Sequence, residues 1–357
     1  MTMLLFNALK KYVVIPLASI VYITSVTVGF VVCGFLKLIL PFPGIRQKIV
    51  AWQKCEWLHL TIAYGCIFFP HPVYVAYNKQ ILQKKRCLVI SNHQTNYDWL
   101  IILIVLQKFD MYRDVCILVK SSLAQIPIFG SAMKAFGYVF IKRSWSEDLN
   151  TLKKSLNYLH TKSKLFFLIF PEGTILVPST HSKSITYSQK MNVKLRDTSF
   201  SPQNVLIPRT SGTNMIYNEL KDTMEGIIDV TLFVRPYYQY PQKTFTYTDV
   251  YFRNVGKIGF FFLVDFMNNV TSKDWLYEIF EKKEILIEKY KQSCQLFKSI
   301  EDVNDFTKKF AKIKSGNYDF IEITLIRHRN LLYLLYFTVW TIGMIYLVSM
   351  AAKWLLY

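Results

Sequence analysis

Two long apolar runs at the ends of the chain constrain it more than any other feature. Residues 13–42, "VVIPLASIVYITSVTVGFVVCGFLKLILPF", carry one charge, Lys37. Residues 331–357, "LLYLLYFTVWTIGMIYLVSMAAKWLLY", also carry one, Lys353. About 20 apolar residues in a helix cross a bilayer core, so each run is long enough to span. Pro16, Gly29 and Gly34 leave room for a bend, which makes a re-entrant hairpin the alternative for the first run. A cleaved signal peptide fits poorly, because the apolar region is too long and no small-residue cleavage site stands in a polar flank after it. The next stretch, 49–70, is aromatic and mixed, and reads as a second helix at the interface or against the first.

Basic residues flank both runs. Lys10 and Lys11 precede the first, and Lys37, Arg46, Lys48 and Lys54 follow it or end it. A Lys-rich stretch, Lys308 to Lys314, and the triplet "RHR" (327–329) precede the second. Short flanks rich in Lys and Arg stay cytoplasmic. The expected organisation is therefore anchoring helices over 1–70, a cytosol-facing domain over 71–325 and a transmembrane segment over 326–357.

Lys and Arg total 43 against 24 Asp and Glu, a formal net charge of +19. A surplus of that size suits an acidic membrane surface, phosphorylated small molecules or nucleic acid. The basic residues are dispersed, and no RNA-binding motif or zinc-finger spacing accompanies them, which argues against nucleic acid. The six cysteines, at 33, 55, 66, 87, 116 and 294, form no C-x-x-C. They read as reduced thiols of a cytosol-facing protein, and no metal site is expected.

Between the anchors, short apolar runs alternate with helical patterns. "RCLVIS" (86–91), "VCILVK" (115–120), "GYVFI" (137–141), "KLFFLIF" (164–170) and "NVLIP" (204–208) read as buried strands. Residues 98–108, 145–161 and about 180–195 read as helices, and 272–295 as a charged amphipathic one. The alternation predicts an α/β domain with a sheet flanked by helices. Ligands of open α/β sheets bind where strands end.

The strand ends carry the polar groups. "SNHQTNYDW" (91–99) sets Asp98 five residues after His93. On one continuous helix the two would be about 140° apart. They can meet if 92–97 turns and Asp98 opens the next helix, where a carboxylate is favoured. An imidazole N–H donating to Asp98 would leave the other ring nitrogen as a base, two-thirds of a Ser-His-Asp arrangement without its nucleophile. A helix cap beside an unrelated histidine is the other explanation of the pair. Lys142 and Arg143 end "GYVFIKR", Glu172 and Gly173 follow a strand in "FPEGT" (170–174), and Arg209 ends "VLIPR". Singly, each is also an ordinary surface charge or turn.

In this order the four blocks resemble those of the glycerolipid acyltransferase family. The family's N-H-x-x-x-x-D-W block corresponds to Asn92, His93, Asp98 and Trp99. Its G-x-x-F-I-x-R block corresponds to Gly137, Phe140, Ile141 and Arg143, F-P-E-G-T to 170–174, and V-x-x-P-R-T to Val205, Pro208, Arg209 and Thr210. The chain is most similar to the eukaryotic branch of lysophosphatidate, lysocardiolipin and lysophosphatidylinositol acyltransferases, through "IDVT" (228–231) and "EKKEILIEKY" (281–290). One departure is Ile175, where many members have Arg after "FPEGT".

The resemblance implies a mixed sheet flanked by helices of the glycerol-3-phosphate acyltransferase type, with apolar anchoring helices at both ends. It implies acyl transfer from acyl-CoA to the free hydroxyl of a lysophospholipid, first of all lysophosphatidic acid to phosphatidic acid. Remodelling of lysophosphatidylinositol or lysocardiolipin is the alternative; an inactive lipid-binding homologue is the alternative of another class. His93 and Asp98 would be catalytic. Asn92, Lys142, Arg143, Glu172, Gly173, Thr174 and Arg209 would bind substrate, with Arg143 on the acceptor phosphate. Glu172 would fix Arg143 or accept from the acceptor hydroxyl, and Arg209 would serve the coenzyme phosphates or the oxyanion. No resident cofactor or metal, and no obligate protein partner, is implied beyond acyl-CoA as co-substrate and the membrane phospholipid. The endoplasmic reticulum membrane is the expected location, with the mitochondrial outer membrane or the lipid droplet as alternatives. A hydrolase would need a nucleophile of its own, and no G-x-S-x-G is present.

Overall fold

The computed structural model describes residues 8–40, 42–69, 71–195, 198–250, 258–293, 300–310, 317–324 and 328–356. Cys294, much of the 308–314 stretch and Arg327 lie outside the described residues. Along the chain, helices α1 (Ile15–Ile39) and α2 (Pro43–Gly65) precede strands β1 (Val73–Asn78) and β2 (Arg86–Ser91). Helix α3 (Asp98–Lys108), strand β3 (Val115–Lys120), helix α4 (Phe129–Ala135), strand β4 (Val139–Ile141), helix α5 (Trp145–His160) and strand β5 (Leu165–Ile169) follow. Then come helix α6 (Pro178–Met191), a two-residue hairpin of β6 (Lys194–Leu195) and β7 (Thr198–Ser199), and helix α7 (Thr210–Leu220). Strands β8 (Gly226–Arg235) and β9 (Gly259–Met267), helices α8 (Trp275–Ser293) and α9 (Ile300–Phe310), strand β10 (Tyr318–Ile323) and helix α10 (His328–Leu356) complete the order.

The chain divides into two units. One holds residues 1–70, 122–138 and 325–357; the other holds 71–121 and 139–324. The linear division expected from the apolar ends thus misses one stretch, 122–138, which groups with the helical ends.

In the helical unit, α1, α2 and α10 pack through small hydroxyls and rings. Ser25 Oγ lies 2.6 Å from Thr341 Oγ1, Ser19 Oγ 2.7 Å from Tyr64 Oη, and the rings of Tyr22 and Tyr64 stack at 4.7 Å. Small and hydroxyl residues at such contacts let helices approach closely where lipid gives no hydrophobic drive. Lys11–Ile39 is long and apolar enough to cross a membrane, with a mean hydropathy of 2.0. The second expected span is weaker: α10 has 29 residues, but its apolar stretch, among the described residues, is the shorter Leu332–Leu347.

The other unit is built on a mixed eight-stranded sheet of order β10-β1-β9-β8-β2-β5-β3-β4. Strands β8, β2, β5, β3 and β4 run parallel to one another. At β9 the direction reverses; β1 is parallel to β9, and β10 closes the far edge antiparallel. Helices flank the sheet, as the pattern predicted. Strands buried on both faces are continuous apolar runs, and "CLVI" and "LFFLI" are of that kind, with Val89, Ile90 and Phe167 wholly buried. Each such side chain contributes about 1.5–3 kcal/mol by leaving water.

Some expectations change. "NVLIP" (204–208) is not a strand but an irregular segment, bent at Asn204 and Val205. The Leu206 and Ile207 amides donate to the side chains of Glu172 and Ser184 instead of to a neighbouring strand, and Pro208 has no N–H to give. The aromatic run at 260–270 is mostly β9, an inner strand of the sheet. The helix expected at 180–195 ends at Met191, where Asn192 adopts a left-handed conformation and the β6–β7 hairpin begins.

Candidate active site

The carboxyl ends of β2 and β5 lie side by side, with Ile90 opposite Ile169, and Ser91 at the end of β2 pairs with Val230 in the middle of β8. At the end of β2 the chain turns instead of continuing. Asn92 anchors that turn: its amide donates to Leu232 O at 3.0 Å and accepts from Leu232 N at 2.8 Å. Asn92 is wholly buried, so the substrate contact expected of it is replaced by a tie between two strands.

Asp98 closes the turn. Its carboxylate accepts from Gln94 N at 2.5 Å, from Thr95 N at 2.9 and 3.1 Å and from Thr95 Oγ1 at 2.6 Å. It sits in the first turn of α3, wholly buried. His93 Nδ1 lies 2.9 Å from Asp98 Oδ2. A carboxylate that already receives three other donors can only accept here, so Nδ1 carries a hydrogen, and in the neutral ring the lone pair is on Nε2. The imidazole stacks on the Phe170 ring at 4.3 Å, which fixes its plane.

The "FPEGT" loop after β5 grips His93 by its backbone. Glu172 Oε1 accepts from His93 N at 2.9 Å, and Leu176 N donates to His93 O at 3.0 Å. The other Glu172 oxygen accepts from Leu206 N at 3.1 Å. Both oxygens are thus spent on backbone amides, and Glu172 braces the turn instead of pairing with Arg143 as expected. Burial, the largest influence, pushes its carboxyl well above the usual range against the pull of the two amides, and the charge of Asp98 adds to the rise.

Gly173 has a φ of +70°, and a Cβ there would lie 2.9 Å from Arg209 Nε. The glycine therefore serves the turn and makes room for the Arg209 side chain. Arg209 N donates to Pro171 O at 2.8 Å, which fastens the irregular 204–208 segment to the same loop. Thr174 is half-buried beside Gly173.

Arg143 follows β4 and also has a positive φ, 68°, a conformation that costs a non-glycine residue about 1–2 kcal/mol. Asp148, in the first turn of α5, holds it: Oδ1 accepts from Lys142 N at 2.7 Å and Oδ2 from Ser144 N at 3.0 Å. Among the described residues the Arg143 guanidinium makes no hydrogen bond or ion pair. Partial burial, and then the positive charge of Arg209, press it below its ordinary value. Two arginines held within each other's field leave their charge for an anion. Lys142 points to solvent, 3.5 Å from Glu147.

Asp148, Leu176 and Ser184 were not anticipated. Asp148 had a signal, since it follows Arg143 by five residues as Asp98 follows His93. One group of possible metal ligands occurs among the described residues, Cys55, Glu56 and His59 on α2, with ligand atoms within 4.8 Å. It lies in the helical unit, where the His59 ring stacks on Tyr333 at 4.8 Å.

Comparison with known proteins agrees with the motif order. Residues 73–217 match the family model described as Acyltransferase. An uncharacterised acyltransferase of Schizosaccharomyces pombe is 27% identical over 63% of this chain and 66% of its own length. The 1-acyl-sn-glycerol-3-phosphate acyltransferase 3 of Arabidopsis thaliana is 27% identical over 78% of this chain and 74% of its own. Lysocardiolipin acyltransferase 1 of Gallus gallus is 30% identical over 60% of this chain and 54% of its own. The chain thus spans about half the length of that last relative and just under two thirds of the first. Among solved structures, the 1-acyl-sn-glycerophosphate acyltransferase of Thermotoga maritima aligns over 77% of this chain and 95% of its own, at 15% identity and a TM-score of 0.47. The family model and the curated relatives agree with the resemblance read from the four blocks, and it is residues 73–217 that match the acyltransferase family.

Proposed function

We propose that this protein transfers an acyl group from acyl-CoA to the free hydroxyl of a lysophospholipid, first of all lysophosphatidate. The observation that carries the proposal is the His93–Asp98 pair at 2.9 Å, with Nδ1 engaged and Nε2 bearing the lone pair. His93 takes the proton from the acceptor hydroxyl as the oxygen attacks the thioester carbonyl. The new C–O bond forms, the C–S bond breaks, and coenzyme A leaves as its thiol with the proton that His93 returns. Asp98 orients the imidazole and stabilises the imidazolium. The acceptor hydroxyl takes the part that serine plays in hydrolases, so no enzyme nucleophile is needed. General-base assistance of this kind contributes about 10²–10⁴-fold.

Arg143 and Arg209 are the groups for the substrate phosphates, Arg143 for the acceptor by bidentate pairing. Thr174 and Lys142 border them. Ile175 supplies no cation in the position after "FPEGT", so phosphate recognition rests on these two arginines. The likeness to a lysocardiolipin acyltransferase favours, as a second reading, remodelling of a lysophospholipid with a larger headgroup.

The apolar Lys11–Ile39 helix and the basic flanks support an endomembrane enzyme, on the endoplasmic reticulum first, with its site toward the cytosol. The Asn269-Val270-Thr271 sequon bears on this. Asn269 is exposed just after β9, so it would be glycosylated in the lumen and should stay bare in the cytosol. Transfer of labelled acyl groups to a panel of lysophospholipids, by purified protein in vesicles, tests the activity. Formation of labelled diacyl product from lysophosphatidate supports the leading reading, a product only from lysocardiolipin or lysophosphatidylinositol the second, and no product from any acceptor contradicts both.

A further inference from the structure

Helix α2 carries a group of side chains that acyl transfer does not use. Cys55 and Glu56 each stand about one turn before His59, at the i,i+4 and i,i+3 spacings that bring helical side chains onto one face. The three converge. Cys55 Sγ lies 3.9 Å from His59 Nδ1. The thiol, a carboxylate oxygen and a ring nitrogen all fall within 4.8 Å of one another. The imidazole is held in place from α10, where the Tyr333 ring stacks on it at 4.8 Å. His59 is buried, whereas Cys55 and Glu56 are half-buried. Two of the three groups are therefore within reach of an ion from outside.

A thiol beside an imidazole is explained by a weak S–H···N hydrogen bond. The carboxylate is what that bond does not explain. Glu56 also borders a cavity walled mostly by apolar side chains of α1, α2 and α10, among them Val26, Phe30, Leu60 and Phe337. A carboxylate against such walls is favoured when a cation shares its charge. In a tetrahedral zinc site, Zn–S of about 2.3 Å and Zn–N of about 2.0 Å set sulfur and nitrogen about 3.6 Å apart. The observed 3.9 Å is close to that, and the long Glu56 side chain has the torsional freedom to bring its oxygen nearer. The donor set also selects the metal. Magnesium and calcium take oxygen ligands, and a thiolate with an imidazole and a carboxylate suits zinc.

We propose that Cys55, Glu56 and His59 form a binding site on α2 for a single zinc-class divalent ion, with water as the fourth ligand. The Cys55 thiol gives its proton to solvent as the metal–sulfur bond forms, so the ion enters against a thiolate, a neutral imidazole and a carboxylate. The site does not depend on the acyl-transfer reading, because His93, Asp98 and Arg143 belong to the other unit. An ion bound there closes one turn of α2 on the side where Tyr333 of α10 meets His59. It binds the folded helices and not the unfolded chain, and it therefore stabilises them by mass action.

The test uses the full chain, purified in detergent with a phosphine reductant, and cobalt(II) as the visible probe. The wild type should take up a single cobalt ion per chain, with the visible bands of a tetrahedral site and a thiolate-to-metal band in the near ultraviolet, and zinc should displace it. Cys55→Ser should lose the thiolate band. Its zinc affinity, read by competition with a chromogenic chelator, should fall about a hundredfold or more, the upper end of what loss of an outer-shell partner alone costs. His59→Phe keeps a ring on Tyr333 but offers no nitrogen, and should lose affinity to a similar extent. Cys66→Ala removes a buried thiol just after α2 and should keep both band and affinity. Zinc should raise the unfolding temperature of the wild type and of Cys66→Ala, and leave that of Cys55→Ser unmoved. A wild type without the thiolate band overturns the proposal. So does a Cys55→Ser protein that keeps the band or binds zinc as tightly as the wild type, since another cysteine would then hold the metal. If His59→Phe does not fold, Cys55→Ser, at a half-buried position, decides alone.

Discussion

Two turns in the sheet unit are built by the same device and put to different uses. At the end of β2, Asp98 closes the His93 turn; at the end of β4, Asp148 closes the Arg143 turn. In both, an aspartate five residues on, in the first turn of a helix, accepts backbone amides. The difference lies in the side chain that each turn presents. Asp98 also takes the His93 Nδ1 hydrogen and so sets the tautomer. Asp148 touches only the amides flanking Arg143, and the guanidinium is left for a ligand. In the proposed reaction one turn prepares a base, and the other aims a cation. Acting on the first should therefore change the chemical step; acting on the second should change binding.

The largest effect is expected at His93. His93→Ala should lower kcat by about 10²–10⁴-fold with the fold retained, since a half-buried ring is lost and little packing with it. Asp98→Asn should follow, costing about 10²-fold or more in kcat, because an amide can present the wrong tautomer and cannot stabilise imidazolium. If Asp98→Asn proved harmless, the two aspartates would be mere equivalents and the contrast would fall. Arg143→Ala should act on the acceptor, raising its KM about tenfold or more with kcat and the KM for acyl-CoA nearly unchanged. A defect confined to acyl-CoA would move Arg143 to the coenzyme side. Asp148→Ala should give a weaker copy of that phenotype, because the cation remains and only its aim is lost.

The smallest effect concerns the backbone. Arg143 sits at φ 68°, where glycine is unstrained. Arg143→Gly should therefore be more stable than Arg143→Ala by about 1 kcal/mol, although both lose the phosphate contact. Equal unfolding temperatures for the two variants would mean that the turn relaxes freely, and that Asp148 holds nothing.

The His–Asp pair could be read from the sequence because both partners sit on one turn, bounded by an apolar strand and an apolar helix. β2, β3 and α3 were legible to the residue for the same reason. What escaped depended on distant parts of the chain. "NVLIP" has strand composition, yet its amides go to Glu172 and Ser184, which lie 23 to 34 residues earlier. β9 is as apolar as a membrane segment because it is covered on both faces. Glu172 looked like a substrate contact because its loop is exposed in sequence terms, whereas its carboxylate is spent inside. Lys283 stands in a charged helix where most lysines face water, and only the packing against Asp229 distinguishes it. Asp148 was overlooked because an aspartate at a helix start is commonplace, and its meaning comes from the left-handed residue that it brackets.

Steady-state kinetics of His93→Ala and Arg143→Ala beside the wild type, with lysophosphatidate varied against saturating acyl-CoA in the same vesicles, tests the division most directly. The account predicts that the first variant loses kcat by at least about a hundredfold, while the second keeps most of its kcat and needs far more acceptor. A His93→Ala enzyme within about tenfold of wild-type kcat would contradict the account at its centre, because the base would then have to be another group.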